Sequence, residues 1–396
     1  MARILIGWEL GHGMGHVMPL RMIARHFLDA GHELAFVVRD LVVAEKLLAD
    51  LPVTCYPAPL LHTQSWELGR TDCFSQLLAN VGLADQGKLA AGLSGWLTLM
   101  DKLAPDAALL EFAPTAMLAC HIRNIPFAIQ GNGFYCPPSH TDGFGIMNQK
   151  LPEPERLGHD ERVRQCINAV LAEQGATPLE TLADLYRLPS LTLLATFAEL
   201  DHFPDRGEAD YYGVWVPREG EPPVWPETKG PKVFAYLVGR PDIEPLLKML
   251  SQSGLPTLIF LSGLPDAARK RYSTASCAFV DRLLDLRQLA SEADLGVFHG
   301  NHSSTAIFLQ AGTPTLQIPL YMEQMLFARR VRACRAGEIA TLDNPKRIAE
   351  ALNVMLSAPV YRQEAGEFAA RYREHDMEQS TKRAAQRFMR AVLSMD

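Results

Sequence analysis

The sequence predicts an α/β protein built from two successive doubly wound halves, each a parallel sheet covered by helices. Three observations predict it. The chain has 396 residues, more than one hydrophobic core, which stops growing near about 250–300 residues, organises. Short β-rich apolar runs alternate with helical stripes from residue 3 onward, the order that builds parallel sheets. The alternation breaks once, over a proline-rich stretch ending at Pro231, and then resumes.

The first β-loop-α-β unit opens the chain. Residues 3–8 (RILIGW) form an apolar run short enough for a buried strand, and Gly11, Gly13 and Gly15 punctuate the loop behind it. Leu20, Ile23, Ala24, Phe27 and Leu28 recur at helical spacing, and Gly31 stands at the C′ position that closes such a helix. Residues 33–38 (ELAFVV) are the second strand. Further strands are expected at 107–110, 127–130 and 191–195, with a helix at 115–123. From 201 to 231 the pattern gives way to charges and glycines, with five prolines between 217 and 231. Neither a helix interior nor a central strand accommodates them. This places a first domain at 1–215, a linker at 216–231 and a second domain at 232–375. In the second domain, strands are expected at 233–237, 257–261, 277–280, 295–298 and 315–318. The end, 360–393, is helical, with Ala385, Phe388, Met389 and Val392 on one stripe. Residues 376–396 are expected to pack back on the first domain.

Composition excludes several classes. With 48% apolar residues, 21% charged and a net charge of −7, the chain is not disordered. It offers no electrostatic reason for nucleic acid or an anionic membrane as partner. No stretch approaches the roughly 18 apolar residues of a membrane span. The N-terminus, MARILIGWELGHG, lacks the make-up of a signal peptide. The seven cysteines (Cys55, Cys73, Cys120, Cys136, Cys166, Cys277, Cys334) are an odd count without a C-x-x-C pair. Free thiols in a reducing compartment fit better than a disulfide framework or a zinc site. The expectation is a cytoplasmic protein, monomer or homodimer.

The loop GHGMGH (residues 11–16) follows the first strand and invites a dinucleotide reading. That fingerprint needs a third glycine three residues after the second, and the two frames put His16 or Met18 there. Asp40 stands near the end of the second strand, yet the nicotinamide or flavin reading fails on the glycines. His16 carries more. At the start of a helix and the carboxyl end of a strand, it points into the crevice where α/β proteins bind ligands. The positive helix end favours the neutral imidazole that a general base requires. His12 reads as a histidine that hydrogen-bonds within its loop.

Residues 293–331 are the most informative stretch. A strand ends at Phe298, and HGNHSST (residues 299–305) leads into a helix that stops at Gly312, with Pro314 behind it. Hydroxyl residues at a helix start act as caps, and the outward N–H groups there form a ready phosphate site. On the residues alone, a capped helix and a phosphate site both remain open.

HGNHSST followed by AGTPTLQIPLYMEQMLFARRV resembles the donor-site signature of the UDP-glycosyltransferase family, the bacterial small-molecule glycosyltransferases of GT-B fold. There the pattern runs roughly H-G-G-x-G-T-T, A-G-x-P, P-L-x-x-D-Q and A-R-R-V. GHGMGHVMPLRMIARHFLDAGHELAFVV resembles the same family's G-H-x-x-P loop and first helix. The resemblance spans nearly the whole chain, with one motif per domain in the right order. It implies two Rossmann-like domains facing across a cleft that holds the active site. The implied reaction is inverting, metal-independent transfer of a sugar from a UDP- or dTDP-sugar donor to a hydroxyl of a small, apolar or amphipathic acceptor. No cofactor is implied, since the nucleotide sugar is a co-substrate, and the chain has no D-x-D motif.

Residue by residue, the resemblance assigns His16 as general base and Glu111 to the position of an Asp that orients it. His299 matches the histidine at the donor pyrophosphate, with Gly300, Asn301, Ser303, Ser304 and Thr305 in the phosphate loop. Glu323 and Gln324 match an Asp-Gln pair that holds the sugar hydroxyls. Gly239 matches a second loop near the phosphates, where Arg240 adds charge, and Leu284 and Leu286 fall where the family packs the base. Gly131, Asn132 and Phe134, after a strand at the same sheet edge as His16, are expected on the acceptor side. Acceptor specificity is expected in the loops 60–95 and 134–157.

The chain also departs from the pattern. Asn301 and His302 replace a glycine and a small residue, which predicts a bulkier phosphate loop. Glu323 is one methylene longer than Asp, and Arg240 stands where Ser or Thr is usual. Trp8, Trp66 and Trp96 read as core or acceptor-pocket wall. Arg329, Arg330, Arg332 and Arg335 read as a solvated helix face. Two alternatives share the architecture: a UDP-N-acetylglucosamine 2-epimerase-like enzyme, and a nucleotide-sugar-binding protein without catalysis.

Overall fold

A computed structural model describes residues 1–61, 71–139, 145, 147–148, 150–217, 219–263 and 266–395. Trp66 and parts of both expected acceptor loops lie outside them. The chain divides into two units. The first comprises Met1–Phe197, Phe203–Val216 and Asp376–Asp396, and the second Ala198–His202 and Pro217–His375.

Each unit holds one six-stranded sheet whose paired strands are all parallel. In the first, β1 (Arg3–Trp8), β2 (Glu33–Val38), β3 (Thr54–Pro57), β4 (Ala107–Glu111), β5 (Phe127–Gly131) and β6 (Leu191–Leu194) lie in the order β3-β2-β1-β4-β5-β6. In the second, β7 (Val233–Val238), β8 (Thr257–Ser262), β9 (Cys277–Val280), β10 (Leu295–Phe298), β11 (Thr315–Gln317) and β12 (Gly337–Ile339) lie in the order β12-β11-β10-β7-β8-β9. Read from its other edge, the second sheet repeats the first. Both are Rossmann-like, and in such sheets the order reverses beside the first strand, opening a ligand crevice at the strands' carboxyl ends. The two crevices lie at β1/β4 and at β7/β10.

The apolar runs are central strands because helices cover both faces: every residue of β4 and β10 is buried, and in β1 all but Arg3. Helix Met14–Asp29 buries Leu20, Ile23, Ala24 and Phe27 on the first sheet. Helix Met377–Ala391 belongs to the same unit, and Phe388 packs on Phe27 with ring centroids 4.9 Å apart. Each such ring, fully buried, contributes about 1.5–3 kcal/mol. In the second unit, Leu247 and Leu250 of helix Glu244–Gln252 join Ile348 and Leu352 of helix Pro345–Ser357 over Val233, Val297 and Leu316.

The structure differs from the sequence reading in places. β3 and β12 had no apolar run to announce them. Both are edge strands, short and only partly buried, and edge positions tolerate Pro57 and polar residues. The segment Ala198–His202, inside the span read as the first domain, belongs to the second unit. There the Glu199 carbonyl accepts from Arg330 Nε at 3.1 Å, and its carboxylate pairs with Arg371 and Tyr372. The stretch read as linker also joins the second unit, where Glu221 pairs with Leu284 as a β-bridge. Among the described residues, no helix is long and apolar enough to cross a membrane.

Candidate active site

The β1/β4 crevice is built from two buried carboxylates. β1 ends at Trp8, and Glu9 turns down to meet the helix Pro114–Arg123 that follows β4. The N-cap of this helix is Ala113, which has no capping side chain. Glu9 replaces it: Thr115 donates from its backbone N–H (3.0 Å) and hydroxyl (2.6 Å) to the Glu9 carboxylate. Burial pushes the Glu9 carboxyl up to about 7, against the pull of those bonds and of Arg39.

Glu111 is the last residue of β4, paired in register with Trp8 of β1. Phe112 behind it takes φ 43°, a left-handed backbone that is strained for phenylalanine. Its carbonyl accepts from Leu10 N–H at 3.0 Å, tying the two strand ends together. The Glu111 carboxylate lies 2.9 and 3.0 Å from Nδ1 of His16, which sits in the first turn of helix Met14–Asp29. Both residues are buried, and burial raises the Glu111 carboxyl while His16 opposes the shift. When Nδ1–H is donated to this carboxylate and the ring carries no second proton, Nε2 presents a lone pair, as a base requires.

The ring is held from three sides. Trp8 stacks on it at 5.1 Å and 14°, and Tyr135 stands on it at 5.2 Å. Gly11 closes the third side: a Cβ there would lie 2.3 Å from Nε2, and its φ of +86° is one that side chains avoid. Of the expected acceptor residues, Gly131 ends β5, and Asn132 Oδ1 accepts from Phe134 N–H at 3.2 Å. Phe134 is buried against Phe74 and Phe203, so its neighbour Tyr135 is the one that meets His16. Buried Arg206 pins this loop by donating to the carbonyls of Cys136 (2.6 Å) and Gly133 (2.9 Å). Asp40 accepts from Val43 N–H as a helix cap, which occupies the acid a dinucleotide site would use. Trp8 and Trp96 are fully buried.

The β7/β10 crevice is of another kind. Gly239 and Arg240 follow β7, and Arg240 makes a two-point contact with Asp242 at 2.6 and 3.0 Å. β10 ends at Phe298, and helix His302–Gln310 starts four residues on, with Asn301 at the N-cap. Asn301 does not cap: its Oδ1 turns back to accept from His299 N–H at 3.1 Å. The first turn therefore has no side-chain cap, and its N–H groups are of the kind that bind anions. Gly300, at φ +89°, lets the loop pass Gln324, whose Cβ a side chain would meet at 2.7 Å. Gln324 itself accepts from Leu320 N–H at 2.8 Å.

The bulk expected of this loop is directed inward. His302 is buried against Phe327 and His202, with centroids 5.0 and 6.0 Å away. His202 Nε2 in turn lies 3.4 Å from Glu323 Oε1, a neighbour that nothing in the sequence announced. Ser303 is partly exposed, whereas Thr305 is fully buried and accepts from Gln317 Nε2 at 3.3 Å. Leu284 is buried and Leu286 half-buried, flanking Asp285, which caps the helix Leu286–Glu292. Arg329, Arg332 and Arg335 are exposed.

Within each unit, then, residues far apart in sequence converge: Glu9, His16 and Glu111 in the first, Arg240, His299 and the helix start in the second. No family model matches the chain, and no curated protein matches it in sequence. Solved structures do match, along its whole length. The glycotransferase of kitacinnamycin superposes with a TM-score of 0.71 at 17% identity, covering 99% of each chain. The spinosyn rhamnosyltransferase SpnG, complexed with thymidine diphosphate, gives 0.69 at 17% identity over 98% of this chain and 100% of its own. SsfS6, a glycosyltransferase from Streptomyces sp. SF2575 also complexed with thymidine diphosphate, gives 0.65 at 20% over 98% and 100%. The chain has the fold of these proteins, GT-B, with two Rossmann-like units.

Proposed function

We propose that this chain is an inverting glycosyltransferase that moves a sugar from a nucleoside-diphosphate donor to a hydroxyl of a small-molecule acceptor. The observation that carries the reading is the His16–Glu111 pair at the β1/β4 switch point, with Nε2 left as the base. His16 takes the acceptor proton as the oxygen attacks the anomeric carbon, a role worth about 10²–10⁴-fold in rate. Glu111 holds the ring in its tautomer and stabilises the imidazolium that forms. Direct displacement inverts the anomeric centre. Tyr135, with Gly131 and Asn132 leading into the same loop, borders the acceptor, and buried Phe134 supports that loop from behind.

The second unit takes the donor. The uncapped start of helix His302–Gln310, with His299, Gly300, Asn301, Ser303 and Ser304, meets the diphosphate, where one preorganised contact is worth about 3–4 kcal/mol. Gly239 and Arg240 lie on the opposite side of the same crevice. Glu323 and Gln324 hold the sugar, and Leu284 and Leu286 the base. The thymidine diphosphate bound in two proteins of the same fold favours a dTDP-sugar over a UDP-sugar.

Thermal unfolding with dTDP, UDP, dTDP-glucose and UDP-glucose tests the donor, because a ligand bound at 100 times its Kd stabilises by about 2.7 kcal/mol. Transfer to a simple phenol, with inversion seen by NMR, tests the reaction. Epimerised donor without acceptor would instead support an epimerase, and binding without turnover a non-catalytic protein.

A further inference from the structure

His299 follows β10 inside the β7/β10 crevice and is fully buried. Its Nδ1 lies 2.8 Å from the carbonyl oxygen of Ile318. A carbonyl only accepts, so Nδ1 carries a hydrogen and donates it there. That commits the ring: uncharged, it has a lone pair at Nε2 and no second hydrogen. Nε2 is buried too, with no hydrogen-bonding partner among the described residues. Burial pushes the imidazolium down to about 4, helped by Arg240 and opposed by the Ile318 carbonyl and Asp242. Near neutral pH the ring is uncharged.

A lone pair is the wrong group to set against a diphosphate, whose oxygens are acceptors as well. The other charges around the ring do not supply what is missing. Arg240 and Asp242, in the loop after β7, hold each other in the two-point contact and largely cancel. Tyr321, at the N-cap of helix Met322–Ala333, bonds to Arg240, and Glu323 in that helix is turned to His202.

We propose that the donor's diphosphate binds with uptake of one proton at Nε2 of His299, so that this residue faces the leaving group as an imidazolium. The inference rests on the donor-site reading above. The proton comes from solvent, and the new N–H donates to a diphosphate oxygen. When the sugar–oxygen bond breaks, its electron pair passes to the diphosphate, and the charged donor is already beside it. The proton returns to solvent as the nucleotide leaves. An uncharged ring in the empty site and a charged one in the filled site make donor binding depend on pH.

Calorimetry with dTDP-glucose and UDP-glucose separates the outcomes, because the phosphates of these diesters have no proton to lose near neutrality. Titrations in buffers of different ionisation enthalpy should show close to one proton taken up. The apparent Kd should rise about tenfold per pH unit from about pH 5.5 to about pH 7.5. His299→Gln, which offers an uncharged N–H, should bind without proton uptake and with a flat pH profile. Binding to the wild-type protein without proton uptake would overturn the inference alone, as would uptake that persists in His299→Gln. Binding of neither compound at any pH would remove the donor reading, and this inference with it.

Discussion

At the ends of β1 and β4 the crevice is lined with buried carboxylates, Glu9 and Glu111, each tied to the helix that follows the other's strand, through Thr115 or His16. At the ends of β7 and β10 the same topology presents an uncapped helix start, a neutral imidazole and an arginine matched by Asp242. One scaffold therefore makes two crevices of different electrical character, one lined by buried carboxylates and the other nearly neutral. The difference lies in a few residues just past each strand, which the sheet places but does not choose. A base needs an anion behind it to hold its proton, whereas a seat for an anion needs its carboxylates neutralised, as Arg240 neutralises Asp242.

The contrast breaks most visibly at His16. His16→Ala should lower kcat about 10²–10⁴-fold while the Kd for dTDP, read by calorimetry, stays as in wild type. A variant that transfers at the normal rate would end the base assignment. Glu111→Gln should fall between His16→Ala and wild type, because the ring keeps a partner but loses the charge that stabilises its imidazolium. Wild-type turnover would leave Glu111 a structural residue only.

The two glycines sharpen the comparison. Gly11→Ala puts a methyl where the His16 ring stands, and Gly300→Ala puts one against Gln324. Each costs roughly 1–3 kcal/mol of strain, yet the first should appear as a 10–10²-fold loss in kcat (about 1.4 kcal/mol per tenfold) and the second as weaker dTDP binding. Steady-state kinetics beside calorimetry distinguishes them, and exchanged phenotypes would refute the division of labour.

The smallest effect is on stability. The Glu9 carboxyl is raised from 4.5 to about 7 in the fold, so folding takes up a proton between those values. The native state loses stability as pH rises through that window, and the loss is complete above it. Glu9→Gln keeps an acceptor for Thr115 without the charge. Relative to wild type it should gain about 2–3 kcal/mol between about pH 5 and about pH 8, measured by urea unfolding at both. A gap that does not change with pH would place the burden elsewhere.

Much of this was legible in the chain because buried parallel strands are written as continuous apolar runs. Residues 3–8, 33–38 and 295–298 match β1, β2 and β10 end to end. The edge strands β3 and β12 were not, since an edge needs no apolar run. His16 and Glu111, 95 residues apart, were both singled out, yet only the β1/β4 register brings them within bonding distance. Glu9, Tyr135, Arg206 and His202 escaped notice for a common reason. Each acts through a contact made across the fold, and a single charged or aromatic residue in a loop carries no periodic signal. Glu9 had one clue: a carboxylate placed directly behind a buried strand, with a helix start at Pro114 that has no capping residue of its own.

The helix Met377–Ala391 has a consequence for how the protein is made. It fills the first unit, with Phe388 on Phe27, yet it follows the whole second unit in sequence. On the ribosome, where domains ordinarily fold in order of synthesis, the first sheet emerges early but the Phe27 face of helix Met14–Asp29 stays uncovered. The second unit is complete before that face is closed. The unit begun first therefore waits for the second before helix Met377–Ala391 can close it.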